Sequence, residues 1–364
     1  MVDVGVLTVG HDVADARIHR IVDALSRHGL SVEVRGLGDP ANGPPSAVVR
    51  TRPRSGLIGR AIRSAALPWT SNARVLLTLD PDVVPAARLV GLLRHRRVVV
   101  DVHEDYAKLL VDRTWSKGAV GTIARLVVGL ATRLARNADL TVVADDHVPP
   151  TVARRRLVVR NLPTPVMFSP QTPRGPVPRA VYVGDVRASR GLFDMLDAVA
   201  QAPPWELDLV GPVAKRNAAA LEERLNTSDL AGRVRCHGRR PPERAWQIAR
   251  GAWVGLCLLH NTPAFRDAVP TKLYEYLAGG LAVIVSDLPR QAEIVAKSGA
   301  GAVVVGVEDV VEHLRAWAAD PTIVDSHRRA AADWARAQLA FADPYDVLAD
   351  VIADLSRSDG AVRS

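Results

Sequence analysis

Cysteine is nearly absent: the 364 residues hold two, Cys236 and Cys257. Both stand in apolar, strand-like runs, and so read as buried thiols of a reducing compartment rather than a disulfide framework. No Cys and His spacing suggests zinc. Aromatic residues amount to only 4% and are not interleaved with the arginines, which argues against a base-stacking surface for nucleic acid. The basic and apolar regions of a signal peptide are missing too, since the strand-like VDVGVLTVG follows Met1 directly. No run of about 18 uninterrupted apolar residues occurs. No membrane-spanning helix is therefore expected, and the expected location is the cytoplasm.

Apolar residues are plentiful, at 48% against 24% charged, which excludes wholesale disorder. At this length two domains are expected. The net charge of +8 is unevenly spread. Residues 1–165 carry 24 Lys and Arg against 15 Asp and Glu, a net of +9, and the remainder comes to −1. A basic first half bears on partners rather than on fold.

The chain opens with a strand (Val2 to Val9), a loop from Gly10 to Asp15, a helix (Ala16 to His28), Gly29 and a second strand (Ser31 to Val34). Asp12 or Asp15 suits the helix cap, and the loop with Gly10 takes the ligand-facing place of an open α/β sheet. A full GxGxxG is absent. Residues 36–56, rich in Gly, Pro and Arg, read as loop. A short helix over 57–66 puts Arg60 and Arg63 on one side. The strand Arg74 to Leu79 ends in Asp80-Pro81-Asp82, two acids that read as a helix start before they read as a metal site. A helix over 84–94 and the strand Val98 to Val102 lead to DVHEDY, which sets His103, Glu104 and Asp105 at a strand's C-terminal end.

Residues 118–137 form an amphipathic helix. Arg125, Gly129, Thr132, Arg133 and Arg136 share one face; Val120, Ile123, Val127, Leu130 and Leu134 share the other. The apolar face is expected to pack on a sheet, and the basic face also fits a membrane-surface element. After the strands Leu140 to Val143 and Leu157 to Arg160 comes NLPTPVMFSPQTPRGPVP, a proline-rich linker.

The second half repeats the rhythm, with strands at Ala180–Val183, Leu207–Val210, Val234–His237, Val254–Leu259, Leu281–Val285 and Ala302–Val305. Strands followed by helices with short Gly-marked turns mean parallel sheets covered on both faces. The turn GDVRASRG sets Arg187 and Arg190 at a strand-to-helix junction, where planar guanidinium forks suit a diphosphate. In 261–303, Pro270 suits a helix's first turn and Gly279-Gly280 its end. Lys272 and Glu275, three apart, share a face, which fits either a surface ion pair or a polar, phosphate-bearing ligand.

These stretches resemble the retaining GT-B-fold glycosyltransferases of glycosyltransferase family 4, also called group 1. The block 261–303 looks like that family's donor site, GDVRASRG like its phosphate-contact turn, DVHEDY like its His loop, and HDVADARIHR like its first helix. The resemblance implies a GT-B fold of two Rossmann-like parallel-sheet α/β domains facing a cleft. Residues 1–163 would bind acceptor, 164–178 would link, 179–340 would bind nucleotide sugar, and 341–364 would form a C-terminal helix packing back towards the N-terminal domain. By the same resemblance, Arg190 and Lys272 neutralise the donor diphosphate, Glu275 meets the ribose hydroxyls, and Asp267 stands where a longer acid contacts the transferred sugar. Arg187 substitutes for an Arg whose place is taken by Asp185, and Arg266 lies in the sugar-holding loop. Gly10, Gly184 and Gly238 complete the donor set. His103 and Asp267 are the catalytic candidates, with Asp15, Arg17, His103 and Glu104 on the acceptor side. No cofactor or metal is implied beyond the nucleoside-diphosphate sugar. The partners expected are that sugar, a small or lipid-linked acceptor, and an anionic membrane touched through the basic half, with no nucleic acid. The alternatives are an epimerase or phosphorylase of the same fold, or a non-catalytic nucleotide-sugar-binding partner.

Overall fold

In the computed structural model, which describes residues 2–111, 118–160, 162–163, 172–339 and 343–357, the chain divides into two units. One comprises Met1–Asn161 with Ala342–Ser364, the other Leu162–Phe341.

The first unit is built on seven parallel strands: β1 (Val4–Asp12), β2 (Val32–Leu37), β3 (Val48–Arg52), β4 (Val75–Thr78), β5 (Arg97–Val102), β6 (Leu140–Val143) and β7 (Arg156–Val158), in the order β3-β2-β1-β4-β5-β6-β7. Its helices are α1 (Ala16–Arg27), α2 (Leu57–Thr70), α3 (Val84–Leu93), α4 (Tyr106–Val111) and α5 (Gly118–Ala135). Side chains alternate along the strands, so the sheet has two apolar faces. Val4, Val6, Val75, Leu77, Val99 and Val142 pack on Ile18, Ile21, Val22 and Leu25 of α1. On the opposite face Leu7 and Leu76 pack with Val90 of α3, while Val98 and Val100 pack with Ala87 of α3 and Ala131 and Ala135 of α5. Asp15 caps α1 from an extended backbone, its carboxylate accepting from the Arg17 N–H.

The second unit has six parallel strands: β8 (Arg179–Val183), β9 (Glu206–Val210), β10 (Val234–Gly238), β11 (Val254–Cys257), β12 (Ala282–Ser286) and β13 (Gly301–Val304), in the order β10-β9-β8-β11-β12-β13. Helices α6 (Leu192–Gln201), α7 (Lys215–Leu225), α8 (Pro242–Ala249), α9 (Thr271–Ala278), α10 (Pro289–Ser298), α11 (Val307–Ala319) and α12 (Pro321–Leu339) cover it on both sides. The final helix, α13 (Pro344–Arg357), belongs to the first unit. Its Tyr345, Leu348, Ala349 and Ile352 join the α1 side of that core.

Four expectations change. The stretch 36–56 contains the edge strand β3, whose VVRTR is masked by flanking Gly, Pro and Arg. Helix α2 runs on through Pro68 to Thr70, although a proline inside a helix forgoes one backbone hydrogen bond and crowds the carbonyl four residues before it. Cys236 lies exposed on the edge strand β10, whereas Cys257 is buried. In α5 it is the small residues Gly121, Ala131 and Ala135 that are buried, while Val120, Ile123 and Leu130 stand exposed. Close approach of α5 to α3 requires small side chains, and the large ones are turned outward. Of the expected linker, 164–171 lie outside the described residues. Residues 172–178 are tied to the second unit: Thr172 O accepts from Arg328, and Gly175 N donates to Gly251 O. Of the expected C-terminal helix, 341–342 and 358–364 also lie outside them.

Candidate functional site

Each sheet reverses its winding direction once, and a crevice opens outside the carboxyl ends of the two strands at that point. In the second unit those strands are β8 and β11, and in the first β1 and β4.

Directly after β8 stands Gly184, with φ +138. A Cβ there would lie 3.1 Å from Lys272 Nζ, and one on Gly211 would lie 1.9 Å from Gly184 O, so this approach of turn, turn and helix needs glycine. Lys272 and Glu275, on α9, are only 5% and 6% exposed, which overturns a surface ion pair. The Lys272 ammonium sits 4.2 Å from the centroid of the Tyr182 ring and donates to its hydroxyl at 3.0 Å. Tyr276 fixes the helix beneath: its hydroxyl accepts from Val183 N at 3.0 Å, and its ring fills the space left by Gly255.

The next turn brings more positive charge. Arg187 bonds the Asp185 carboxylate. Burial works to raise the Asp185 acid, but Arg190, Arg187 and Arg239 outweigh it and hold the group below its ordinary range. Arg190 reaches over the ring of Phe265, 5.6 Å from its centroid, joining the turn after β8 to the loop after β11. Arg190 and Lys272 both act electrostatically on the buried Cys257 thiol, which burial nonetheless pushes up to about 11. Arg266 and Asp267 lie exposed in the same loop, where Asp267 O accepts from Arg290. Gly238 stands further off, next to the Arg239 that acts on Asp185. It ends β10 at the sheet edge, two strands from the crevice, and a Cβ added there would meet nothing within 4 Å.

In the first unit Asp80, after β4, collects three donors from the end of β1: Thr8 Oγ1 at 2.6 Å, Val9 N at 2.8 Å and Gly10 N at 3.1 Å. A Cβ on Gly10 would lie 2.4 Å from Asp80 Oδ1. The Gly10 amide, expected to face a donor, is thus engaged by Asp80. Asp82 accepts from Arg60 and Ser64. Arg17, expected at the acceptor, is 3% exposed and bonds Asp101 through Nε at 2.8 Å and Nη2 at 2.6 Å, with Nη1 donating to Val159 O. Its guanidinium is a buried clamp between α1 and β5 and does not reach a ligand surface.

His103 follows β5, with Nδ1 3.8 Å from Asp101 Oδ2 and a buried Nε2 that has no hydrogen-bond partner among the described residues. Burial, aided by Arg17 and His11 and opposed by Asp101, pulls it down to about 4, so the imidazole is neutral. His11, which sequence reasoning missed, lies 5.2 Å away ring to ring. Its Nδ1 is 3.5 Å from Asp15 and its Nε2 3.8 Å from Asp80. Burial lowers His11, yet Asp15, Asp80 and Glu104 prevail and raise it to about 9. Asp15 is in turn held well below its ordinary value: burial is outweighed by the His11 hydrogen bond and charge, His103 and the Arg17 N–H. Glu104 lies exposed beside the pair. The four-residue step from His11 to Asp15 across a strand end was the available signal.

Comparison with known proteins follows this division. Residues 167–337, somewhat under half the chain, match the family described as Glycosyl transferases group 1. Among curated proteins no sequence matches. Sucrose-phosphate synthase from Thermosynechococcus elongatus has a similar structure, at 15% identity and TM-score 0.71 with both chains covered in full. WaaG, a glycosyltransferase involved in lipopolysaccharide biosynthesis, aligns at 17% identity and TM-score 0.67 over 96% of this chain and 99% of its own. Anabaena HepE, in complex with UDP and glucose, aligns at 15% identity and TM-score 0.64 over 99% and 100%. The chain is therefore a two-domain α/β protein of the GT-B fold whose second unit matches the glycosyl transferases group 1 family over residues 167–337.

Proposed function

We propose that the protein transfers a sugar from a nucleoside-diphosphate sugar to an acceptor, with retention at the anomeric carbon. The observation that carries this is the gathering of Lys272, Arg190 and the buried Glu275 at the β8–β11 crevice. The group 1 match over that unit and HepE's complex with UDP and glucose support a nucleoside diphosphate as the ligand. As the anomeric C–O bond breaks, negative charge grows on the departing diphosphate. Lys272 and Arg190, already fixed by Tyr182 and Phe265, stabilise it without reorganising. Glu275 accepts from the ribose hydroxyls, and Asp267 and the Arg266 backbone hold the sugar. Attack comes from the face the leaving group vacates, with the diphosphate taking the acceptor's proton. Retention rests on this same-face chemistry, which needs no pair of carboxylates of the kind a glycosidase uses.

The acceptor is assigned to the first unit, at His103, Glu104 and Asp15. A lipid-linked or cell-envelope acceptor at the inner face of a membrane fits its excess of positive charge, and WaaG's role in lipopolysaccharide biosynthesis supports it. Glu275→Ala and Lys272→Ala are expected to lower sugar transfer by about 10²-fold or more. Release of nucleoside diphosphate over a donor panel measures this, and full activity in both variants contradicts the proposal.

A further inference from the structure

Helices α2, α3 and α5 lie side by side over one face of the first sheet. Inward they offer Pro68, Val84, Ala87, Val90, Ala131 and Ala135. Outward they present Ile58 and Ile62, Leu92 and Leu93, Ile123 and Leu126, each between 60% and 80% exposed. Single exposed leucines need no explanation, but here large apolar side chains recur along one face of three neighbouring helices, Ile58 and Ile62 towards the Asp82 end of α2 and Leu92 and Leu93 towards its Trp69 end, and such accumulation of exposed apolar surface marks contact surfaces. The charge on these helices is of one sign. Their sequences contain Arg60, Arg63, Arg88, Arg125 and Arg133 and not one Asp or Glu. Arg60 and Arg88 are paired with Asp82 and Asp139 from outside the three helices, while Arg125 and Arg133 stand exposed. By length and composition α5 could cross a membrane, yet the burial of Gly121, Ala131 and Ala135 lays it along the unit's surface.

We propose that the α2–α3–α5 face is a docking surface for an anionic phospholipid bilayer. The apolar side chains enter the headgroup boundary, and the arginines meet lipid phosphates. Charge complementarity favours this occupant over a second copy of the chain. A two-fold pairing through this face would set arginine against arginine with no carboxylate on the three helices to offset it. The inference deepens the reading of a membrane-side transferase by naming the surface, and it depends on that reading only for its purpose.

The test is co-sedimentation of the full chain with vesicles of phosphatidylcholine, with and without phosphatidylglycerol. Wild type is expected to pellet with the anionic vesicles and to be released by salt. Ile58→Glu with Leu126→Glu, and separately Arg125→Glu with Arg133→Glu, are expected to weaken binding about tenfold or more. These positions are exposed, so unchanged thermal melts will verify folding. Nucleoside-diphosphate binding, followed by thermal shift, is expected to be the same in wild type and variants, so failure of the donor-site reading shows separately. Wild type remaining in the supernatant with anionic vesicles, or the Ile58/Leu126 variant pelleting like wild type, overturns the proposal. So does a concentration-dependent dimer, seen by light scattering, that this variant abolishes while vesicle binding persists; the face then belongs to a second copy.

Discussion

Two histidines a ring apart carry opposite charge states because their surroundings differ. His11 has carboxylates on both sides, Asp15 and Asp80, whereas His103 is buried beside Arg17, which already holds the Asp101 carboxylate next to it, and Asp15 acts on it only as a lesser influence. The two groups make stability depend on pH in opposite directions. His11 is raised from 6.5 to about 9, so its stabilisation is complete below pH 6.5 and is lost as pH climbs through 9. His103 is lowered from 6.5 to about 4, so its neutral, buried state favours folding above pH 6.5, and that is lost as pH falls through 4. Urea unfolding as a function of pH is expected to show both limbs. His11→Asn should flatten the alkaline limb by about 1 kcal/mol, allowing for solvent screening at the partly exposed ring. His103→Asn should flatten the acid limb. An alkaline limb untouched by His11→Asn counts against this assignment.

At the scale of the element, α1 is joined to β5 by Arg17 and Asp101 and to α13 by apolar contact. Arg17→Ala strands a fully buried carboxylate, and the expected loss of stability is about 3–5 kcal/mol. If Arg17 instead served the acceptor, the variant would raise the acceptor KM with stability little changed; kinetics and urea unfolding of the same preparation separate the two. Ending the chain at Asp343 removes Tyr345, Leu348, Ile352 and Leu355 from the first core. At roughly 1.5–3 kcal/mol per buried side chain, that is a severe loss. Hydrogen exchange is expected to rise across β1, β4 and β6 while β8, β11 and β12 keep their protection. Equal exchange in the two sheets would show that α13 does not anchor the first core.

Across the whole molecule, charge divides unevenly between the units: the first holds 26 Lys and Arg against 20 Asp and Glu, a net of +6, and the second 21 against 19, a net of +2. The first unit carries the excess of positive charge and the apolar helix faces, and the second carries the convergent cations and the group 1 match. A nucleoside diphosphate bound at Lys272 and Arg190 stabilises the folded chain by mass action, about 2.7 kcal/mol at a hundredfold excess over Kd. A thermal-shift screen of nucleoside diphosphates is therefore expected to raise Tm for one base above the others, and Lys272→Ala to abolish the shift. A shift that survives Lys272→Ala would move the donor site elsewhere.

Sequence alone determined the order of strands and helices apart from the edge strand β3 and the short α4, because the period-two apolar runs, the caps such as Asp15 and the Gly-marked turns act locally. It also placed Arg187 and Arg190 at a strand-to-helix turn and Lys272 and Glu275 at a helix start, elements that the parallel winding brings to one crevice. Tertiary structure decided what each side chain does there. Arg17 and Glu104 look alike in sequence as charged residues near strand ends, but a carboxylate 84 residues away claims the first and leaves the second in solvent. Gly10 owes its identity to Asp80, and His11 its charge to Asp15 and Asp80 together. The outward turn of Ile123 and Leu126 followed from the close seat of Ala131 and Ala135 under α5. Such choices are set by packing and electrostatics between residues far apart in the chain, which local periodicity does not encode.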